Sequence, residues 1–136
     1  MVTVRNSIDT RMAFVDASKT IIDGVQEMLR NQTWSFVVTK GSLPVGVVTD
    51  RDIIRRCLGK GMDPNRTPVE RIMSSPLITI GPDQPLAEAL DLMAKNNIKR
   101  VYVVEGGKII GKVTQTEAFR RLLNLVMGLQ SVPRAL

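Results

Sequence analysis

The sequence predicts an α+β protein made of two β-α-β-β-α motifs that are related by pseudo-twofold symmetry and packed through their sheets. Three observations predict this fold: an internal repeat without gaps, helical spacing of apolar residues at two places in each copy, and two β-rich runs between those places. Hydrophobic residues make up 43% of the 136-residue chain and charged residues 24%, so we expect a globular protein rather than a disordered one. Because about 60 residues bury too little surface to be stable alone, we expect the two copies to share one core.

The repeat aligns residues 4–62 with residues 69–127 at a constant offset of 65. Twelve of the 59 aligned pairs are identical, whereas roughly three or four are expected from average composition. Between the copies, Pro64 and Pro68 disfavour helix and indicate a linker. The predicted segments are a first motif at 1–62, a linker at 63–68, a second motif at 69–128 and a tail at 129–136.

Each copy contains two predicted helices that flank a β-hairpin. The first helix has Ser18 as its predicted N-cap in one copy and Asp83 in the other. Its predicted buried residues, at the spacing of one helical face, are Ile21, Val25, Met28 and Leu29 in the first copy and Leu86, Leu90, Met93 and Ala94 in the second. The hairpins are predicted from WSFVVT and PVGVVT around the turn KGSL, and from RVYVV and KIIGKVT around EGG. The buried face of the second helix is predicted to contain Ile53, Ile54, Cys57 and Leu58 in the first copy and Ala118, Phe119, Leu122 and Leu123 in the second.

The composition excludes several classes of enzyme and of metal site. The chain has no histidine, so catalysis by imidazole and histidine-ligated zinc are excluded, and the single Cys57 forms neither an intrachain disulfide nor a thiolate cluster. The remaining Thr, Asp and Glu residues form no array of nucleophile and base, so we expect no enzyme and no metal site. No apolar run approaches the length of a membrane span and the N-terminus is polar, so a cytoplasmic location is expected. The net charge of +6 favours anionic partners.

Each copy ends its last strand with a glycine, two further residues and a threonine, and an acid follows three residues later. These motifs span residues 46–52 and 111–117. One interpretation is structural, because Thr-x-x-Asp/Glu is a capping box at the start of a helix. The other is functional, because a carboxylate beside a helix N-terminus accepts hydrogen bonds from both ribose hydroxyls while the threonine and free amides bind phosphate. The duplication adds weight to the functional interpretation, and both stay open.

The motifs GVVTDRD and GKVTQTE, the segment VERIMSSPLITI and the strand IKRVYVV together resemble the CBS (cystathionine-β-synthase) domain in its tandem form, the Bateman module. The resemblance spans residues 4–127. It implies a stand-alone regulatory binding protein that needs no resident cofactor and holds AMP, or ADP, ATP or S-adenosylmethionine, in clefts between the motifs. In such pairs, each cleft combines the threonine and acid of one motif with the lead-in and second strands of the other.

The resemblance places a first cleft at the acid of the first copy. There Asp52 would bind the ribose hydroxyls, Thr49 and Arg100 the phosphate, and the backbone near Leu77 and Ile78 the adenine edge. Arg51 could also reach the phosphate, but the interpretation as a solvated surface arginine is favoured, so Arg51 is a secondary candidate. The predicted ligand-binding residues of the first cleft are Thr49, Arg51, Asp52, Ser75, Pro76, Leu77, Ile78, Lys99, Arg100 and Val101.

A second cleft departs from the family pattern at two positions. Glu117 is one methylene longer than the usual Asp, and Trp34-Ser35 stands where the first cleft has Lys99-Arg100. We therefore expect weaker binding there, or none. The predicted residues of the second cleft are Thr114, Glu117, Thr10, Arg11, Met12, Ala13, Ser35 and Phe36.

Other features leave alternatives open. Trp34 fits base stacking, or a core or dimer contact. The arginine pairs that recur in both copies, Arg55-Arg56 and Arg120-Arg121, fit a polyanion-binding stripe or a solvated helix face. The apolar end of the last helix fits either an ordinary core helix or a homodimer contact through the helices. The sequence thus predicts an AMP-sensing regulatory protein with an unidentified target. The alternatives are a nucleic-acid binder, favoured by the charge, and a scaffold with degenerate pockets.

Overall fold

The computed structural model describes residues 2–128, so the tail predicted at 129–136 lies outside the described residues. Two β-α-β-β-α motifs are present, which confirms the predicted fold class. In the first copy, the helical run after the last strand begins as α2 and continues as a π-helical turn, Ile53–Cys57, and a 3-10 turn, Leu58–Lys60. The elements of the first copy are β1 (Phe14–Asp16), α1 (Ile21–Arg30), β2 (Ser35–Lys40), β3 (Leu43–Thr49) and α2 (Asp50–Asp52). Those of the second are β4 (Thr79–Ile80), α3 (Leu86–Asn96), β5 (Arg100–Glu105), β6 (Lys108–Thr114) and α4 (Gln115–Met127).

Each copy forms its own three-stranded sheet. β1 is parallel to β2 and β2 is antiparallel to β3, and the same relations hold for β4, β5 and β6. Helices α1 and α3 make the crossovers that parallel strands require. Both hairpins turn at a glycine with positive φ, Gly41 at 63° and Gly106 at 59°. Both also carry a register shift at the same place, at Val38 in one sheet and at Val103 in the other, so the repeat extends to irregular backbone.

The compact units of the molecule exchange their lead-in segments. The first unit is Arg11–Leu77, and the second combines residues 2–10 with residues 78–128. In the first unit, the lead-in segment of the second copy, residues 69–77, is bridged to β3. In the second unit, the lead-in segment of the first copy, residues 2–10, is bridged to β6. The boundaries predicted from the repeat therefore mark the duplicated segments of the sequence. They differ from the boundaries of the compact units, which mark the segments that pack together.

Two details predicted for the first helices are wrong. Helix α1 is capped by Thr20, whose side chain accepts a hydrogen bond from the Asp23 amide, and α3 begins after Pro85. Ser18 instead donates to the Asp16 carboxylate, which lowers the pKa of that carboxyl, and Asp83 forms an ion pair with Arg5.

The buried faces of these helices are also narrower than predicted. Leu29 and Ala94 are exposed, and the buried residues follow i, i+3, i+7 spacing, namely Ile21, Gly24 and Met28 in α1 and Leu86, Ala89 and Met93 in α3. The absence of a side chain at Gly24 gives room to the ring of Phe36, which is fully buried.

The second helices bury less apolar surface than their sequences predict. Ile53, Cys57 and Ala118 are buried as predicted. Ile54 and Phe119, which occupy equivalent positions, are each 61% exposed, and Leu58 is 56% exposed, so the predicted burial of these three residues is wrong. The larger exposed apolar residues of this part of the two copies are Ile54, Leu58, Phe119, Leu125, Val126 and Met127. Over residues 2–128 no helix has both the length and the apolarity that a membrane crossing needs.

Candidate ligand site

The first candidate site is built on the corner where β3 passes into α2. Thr49 closes the strand and caps the helix, since its hydroxyl accepts a hydrogen bond from the Asp52 amide at 3.2 Å. A second hydrogen bond runs in the opposite direction, since Asp52 Oδ2 accepts from the Thr49 amide at 2.9 Å. The side chain of Asp52 is 15% exposed, so its charge lies in a largely desolvated position. The capping box expected from the sequence is therefore present, and it occupies one of the two carboxylate oxygens.

The guanidinium of Arg56, one helical turn after Asp52, also lies near this corner. Arg56 Nε lies 3.8 Å from Asp52 Oδ1, and Arg56 Nη1 donates to Ile72 O and to Ser74 Oγ, each at 3.1 Å. Sequence reasoning treated Arg56 as one of a solvated or polyanion-binding pair. Its neighbour Arg55 is exposed, as is Arg51, whose amide donates to the Asp50 carboxylate.

The lead-in segment 69–77 lies beside the same corner. The Ser74 and Val47 backbones exchange hydrogen bonds at 2.9 and 3.0 Å, and Ser75 Oγ donates to Val45 O at 2.9 Å. Ser75 and Pro76 are exposed and Leu77 is half-buried. The first unit thus brings Thr49 and Asp52 together with the lead-in residues predicted to accompany them.

The other residues predicted for the first cleft belong to the second unit. Ile78 O accepts a hydrogen bond from the Tyr102 amide, which fixes this residue beside β5. Lys99 is exposed and Arg100 is half-buried at the start of β5, where it pairs in register with Thr114. The side chain of Val101 belongs to the hydrophobic core of the unit. The residue as a whole is fully buried.

The second candidate site has a different charge arrangement. Thr114 Oγ1 accepts from the Glu117 amide at 3.1 Å and caps α4 in the same way. The Glu117 carboxylate is bound through both oxygens by the Arg120 guanidinium, with Nε at 3.4 Å from Oε2 and a shorter contact from Nη2 to Oε1. Both side chains are mostly buried, and the hydrogen bond with Glu117 raises the pKa of Arg120. The acid of this corner is therefore neutralised by a neighbour on its own helix.

A buried ion pair, missed by sequence reasoning, lies in the same unit. Lys112 Nζ is 3.8 Å from Asp9 Oδ2, and the two side chains are 5% and 9% exposed. Their backbones form the bridge that joins residues 2–10 to β6. At an offset of 65, the same bridge in the first unit joins Val47 and Ser74. The repeat alignment could have indicated this ion pair. It places Lys112 opposite Val47 and Asp9 opposite Ser74, so one copy has two charged residues where the other has an apolar and a small polar residue.

The remaining residues predicted for the second cleft are divided between the units. Thr10 is exposed and lies in the second unit with Thr114 and Glu117. The rest are in the first unit: Arg11 and Met12 are half-buried, Ser35 is buried, and the side chains of Ala13 and Phe36 belong to the hydrophobic core. Trp34, which precedes β2, is 48% exposed, and its carbonyl accepts from the Asp50 amide.

The glycine that opens each motif permits a close approach of the lead-in segment. A Cβ at Gly46 would lie 2.8 Å from Ser74 O, and one at Gly111 would lie 2.7 Å from Asp9 O. Neither distance allows a carbon atom there without a backbone shift. The glycines therefore hold the lead-in segment against the strand that leads to the Thr-acid corner.

Comparison with known proteins identifies the family. A model of the CBS domain matches the chain twice, at residues 4–59 and 69–124. The chain belongs to the CBS-domain family. Among curated relatives, CBS domain-containing protein YhcV of Bacillus subtilis (strain 168) is 31% identical over 113 residues, which cover 83% of this chain and 80% of YhcV. Two further relatives are longer proteins, of whose lengths the match covers 47% and 42%.

Solved CBS-domain structures share the fold over nearly the whole chain. A CBS-domain protein from Burkholderia ambifaria MC40-6 has a TM-score of 0.83 at 23% identity and covers 98% of this chain and 100% of that chain. CBS domain protein PAE2072 from Pyrobaculum aerophilum, solved in complex with AMP, has a TM-score of 0.79 at 26% identity and covers 93% of this chain and 98% of that chain. The predicted tandem CBS pair is therefore confirmed.

Proposed function

We propose that this CBS pair is a regulatory protein that binds an adenine nucleotide, with AMP as the first candidate, and that Thr49 and Asp52 carry its main site. The observation that carries the proposal is the geometry of Asp52. One carboxylate oxygen is held by the Thr49 amide, while Oδ1 lies beyond hydrogen-bond distance of Arg56 at 3.8 Å and has capacity to accept from a ribose hydroxyl. The similarity to PAE2072, a CBS protein complexed with AMP, supports the ligand class.

The charges of the two corners favour the first as the stronger site. Asp52 presents a desolvated carboxylate next to the start of a helical run. Glu117 is already bound by Arg120, so a ribose at that corner would have to displace or share an ion pair. We therefore expect one strong site per chain.

Calorimetric titration with AMP, ADP, ATP, S-adenosylmethionine and NAD tests this proposal, and Asp52→Asn is the decisive variant. Asparagine keeps a side-chain oxygen for the Thr49 amide and so preserves the cap, but it removes the charge and one acceptor. Charge-assisted hydrogen bonds contribute about 1.5–3 kcal/mol each, so we expect Asp52→Asn to weaken AMP binding by about ten- to a hundredfold. Its melting temperature should stay close to that of the wild type.

Asp50→Asn is the matched control, because it makes the same change two residues away, and Glu117→Gln tests the second corner. Both should retain the affinity for AMP within about threefold, a change well under 1 kcal/mol. Loss of binding in Glu117→Gln with normal binding in Asp52→Asn would reverse the order of the two sites. An absence of binding to any adenosyl ligand would favour the scaffold alternative. Binding to nucleic acid that falls steeply with salt and is indifferent to Asp52 would favour the alternative based on charge.

We also propose that the protein forms a homodimer through its second helices. The support is the exposure of Ile54 and Leu58 in the first unit and of Phe119 and Val126 in the second, at or beyond the positions predicted to be buried. Exposed apolar residues at equivalent places in both copies are typical of a surface that another chain covers. A dimer would also supply two packing arrangements between which a ligand can select, provided that it binds them with different affinity.

A further inference from the structure

We propose that Arg56 is a positioning residue of the first site, which couples the Asp52 carboxylate to the lead-in segment 69–77. The inference rests on the proposed function of Asp52, and it assigns to Arg56 a role that neither the capping box nor nucleotide chemistry requires. Through this one side chain, the acid that would hold the ribose is connected to the segment that would hold the base.

The contacts of Arg56 define the coupling. Its Nη1 donates to Ile72 O and Ser74 Oγ at 3.1 Å, and its Nε faces Asp52 Oδ1 at 3.8 Å. The same segment is held on β3 by the paired Ser74 and Val47 backbones. Two sets of contacts therefore hold the lead-in segment, and of these the guanidinium also faces Asp52.

Arginine is suited to this position for a geometric reason. Its planar fork presents several N–H donors in fixed directions, so one side chain serves a carbonyl, a hydroxyl and a carboxylate together. A lysine ammonium at the same place is a point charge on a flexible stem and reaches fewer of these acceptors at once. The side chain of Arg56 is 49% exposed, and an ion pair of that exposure stabilises a fold little by itself. Its value lies in holding two parts of one site in register.

The second unit supplies an internal comparison. The residues equivalent to Asp52 and Arg56 are Glu117 and Arg121. There the acid is bound by Arg120 instead, and Arg121 Nε is a buried nitrogen without a hydrogen-bond partner among residues 2–128. Both copies thus keep the arginine pair, and in the first copy Arg56 contacts both the acid and the lead-in segment.

Thermodynamic linkage gives the coupling a measurable sign. If Arg56 helps to hold Asp52 and the lead-in segment in the geometry that binds the ligand, bound ligand must in turn stabilise the contacts of Arg56 by the same free energy. Binding should therefore slow hydrogen exchange at the amides of Val47 and Ser74, which form the ladder between β3 and the lead-in segment. Without Arg56 this added protection should be smaller.

The test compares Arg56→Gln and Arg56→Lys with Arg55→Gln, a matched loss of charge at the exposed neighbouring arginine. For each full-length protein, calorimetry gives the dissociation constant of AMP, and hydrogen exchange with and without AMP gives the protection of residues 45–49 and 72–75. We expect Arg56→Gln to weaken AMP binding about five- to tenfold and to lose most of the AMP-dependent protection of residues 72–75. Arg56→Lys should lie between it and the wild type, and Arg55→Gln should stay within about twofold.

The outcomes separate three explanations. An Arg56→Gln protein that melts at a lower temperature but binds AMP within twofold of the wild type, with its AMP-dependent protection intact, shows a structural brace only and overturns the inference. A wild type that binds no adenosyl ligand overturns the proposed function itself, and with it the coupling. If Arg56→Gln does not fold, Ser74→Ala removes only the hydroxyl acceptor of Arg56. Two- to threefold weaker binding by Ser74→Ala supports the coupling, and unchanged binding and protection contradict it.

Discussion

Substitution of Gly46 by alanine tests how the lead-in segment is held against the Thr-acid corner. An ideal Cβ at this position lies 2.7 Å from Met73 Sδ and 2.8 Å from Ser74 O. The methionine sulfur can move because its side chain is flexible, but the serine oxygen belongs to the backbone and is itself paired with the Val47 amide at 3.0 Å. The added methyl group therefore acts on the ladder between β3 and residues 72–75.

The size of the effect follows from these distances. A carbon atom contacts a carbonyl oxygen at about 3.3 Å or more, so Ser74 must retreat by about half an ångström. That shift lengthens a normal hydrogen bond towards the limit at which it weakens steeply. Overpacking of this kind costs about 1–3 kcal/mol. For a chain of this length, the melting temperature of Gly46→Ala should fall by about 3–12 °C.

Thermal and urea unfolding of Gly46→Ala and Gly111→Ala measure this cost, with Gly81→Ala as the control. At Gly81 the nearest atom to an added Cβ is Gln84 Cγ at 3.8 Å, an ordinary contact, so alanine should be neutral or stabilise by up to about 1 kcal/mol. Gly111→Ala should be destabilised as well, because its Cβ meets the Asp9 carbonyl oxygen at 2.7 Å. A Gly46→Ala protein that melts at or above the wild-type temperature would refute the assignment of this glycine to close packing.

Two further predictions concern the second helix of the first copy and its apolar surface. Burial raises the pKa of the Cys57 thiol above its ordinary value of 9.0, and the nearby Asp63 raises it further. The thiol therefore ionises at a lower pH in the unfolded chain than in the folded protein. It stabilises the fold below pH 9.0, and this contribution is lost as the pH rises through the pKa of the folded state. As the pH rises above 9.0, the unfolding free energy of the wild type should fall more steeply than that of Cys57→Ala, and parallel curves would contradict this. For the dimer, Ile54→Asp and Phe119→Asp should sediment as monomers. Leu43→Asp, a control at an equally exposed position on the first hairpin, should still sediment as a dimer. Unaltered sedimentation of all three variants would exclude a helix-mediated dimer.

The hairpin strands and the helices of each motif could be predicted because the information lies in local patterns. Apolar spacing separates the helices from the strands, and the glycines at the hairpin tips mark the turns. The predicted caps failed for an equally local reason. Ser18 is a good N-cap residue by type, but it bonds to Asp16, and Thr20 with Asp23 forms the complete capping box.

The exchange of lead-in segments was expected from the family resemblance, and no local pattern of the sequence indicates it. The motif alone gives the glycine of Gly-x-x-Thr no role, whereas the structure shows that it permits the approach of a backbone carbonyl from the other copy. A main-chain oxygen leaves no trace in the sequence, because any residue supplies it. For the same reason the sequence does not show which of Arg55 and Arg56 contacts the lead-in segment. The hydrogen bond from Arg56 to the Ile72 carbonyl shows that it is Arg56.

The difference between Asp and Glu explains how two copies of one motif acquire unequal chemistry. Asp52 is short, so its carboxylate stays at the start of the helical run, on the Thr49 amide. Glu117 has one more methylene, and its carboxylate reaches along α4 to the guanidinium of Arg120. An arginine occupies the corresponding place in the first copy as Arg55, but the shorter acid pairs instead with the next residue, Arg56. A single methylene therefore decides which arginine is engaged. In one copy the acid lies on the Thr49 amide and faces the arginine that contacts the lead-in segment, and in the other the acid is neutralised within its own helix.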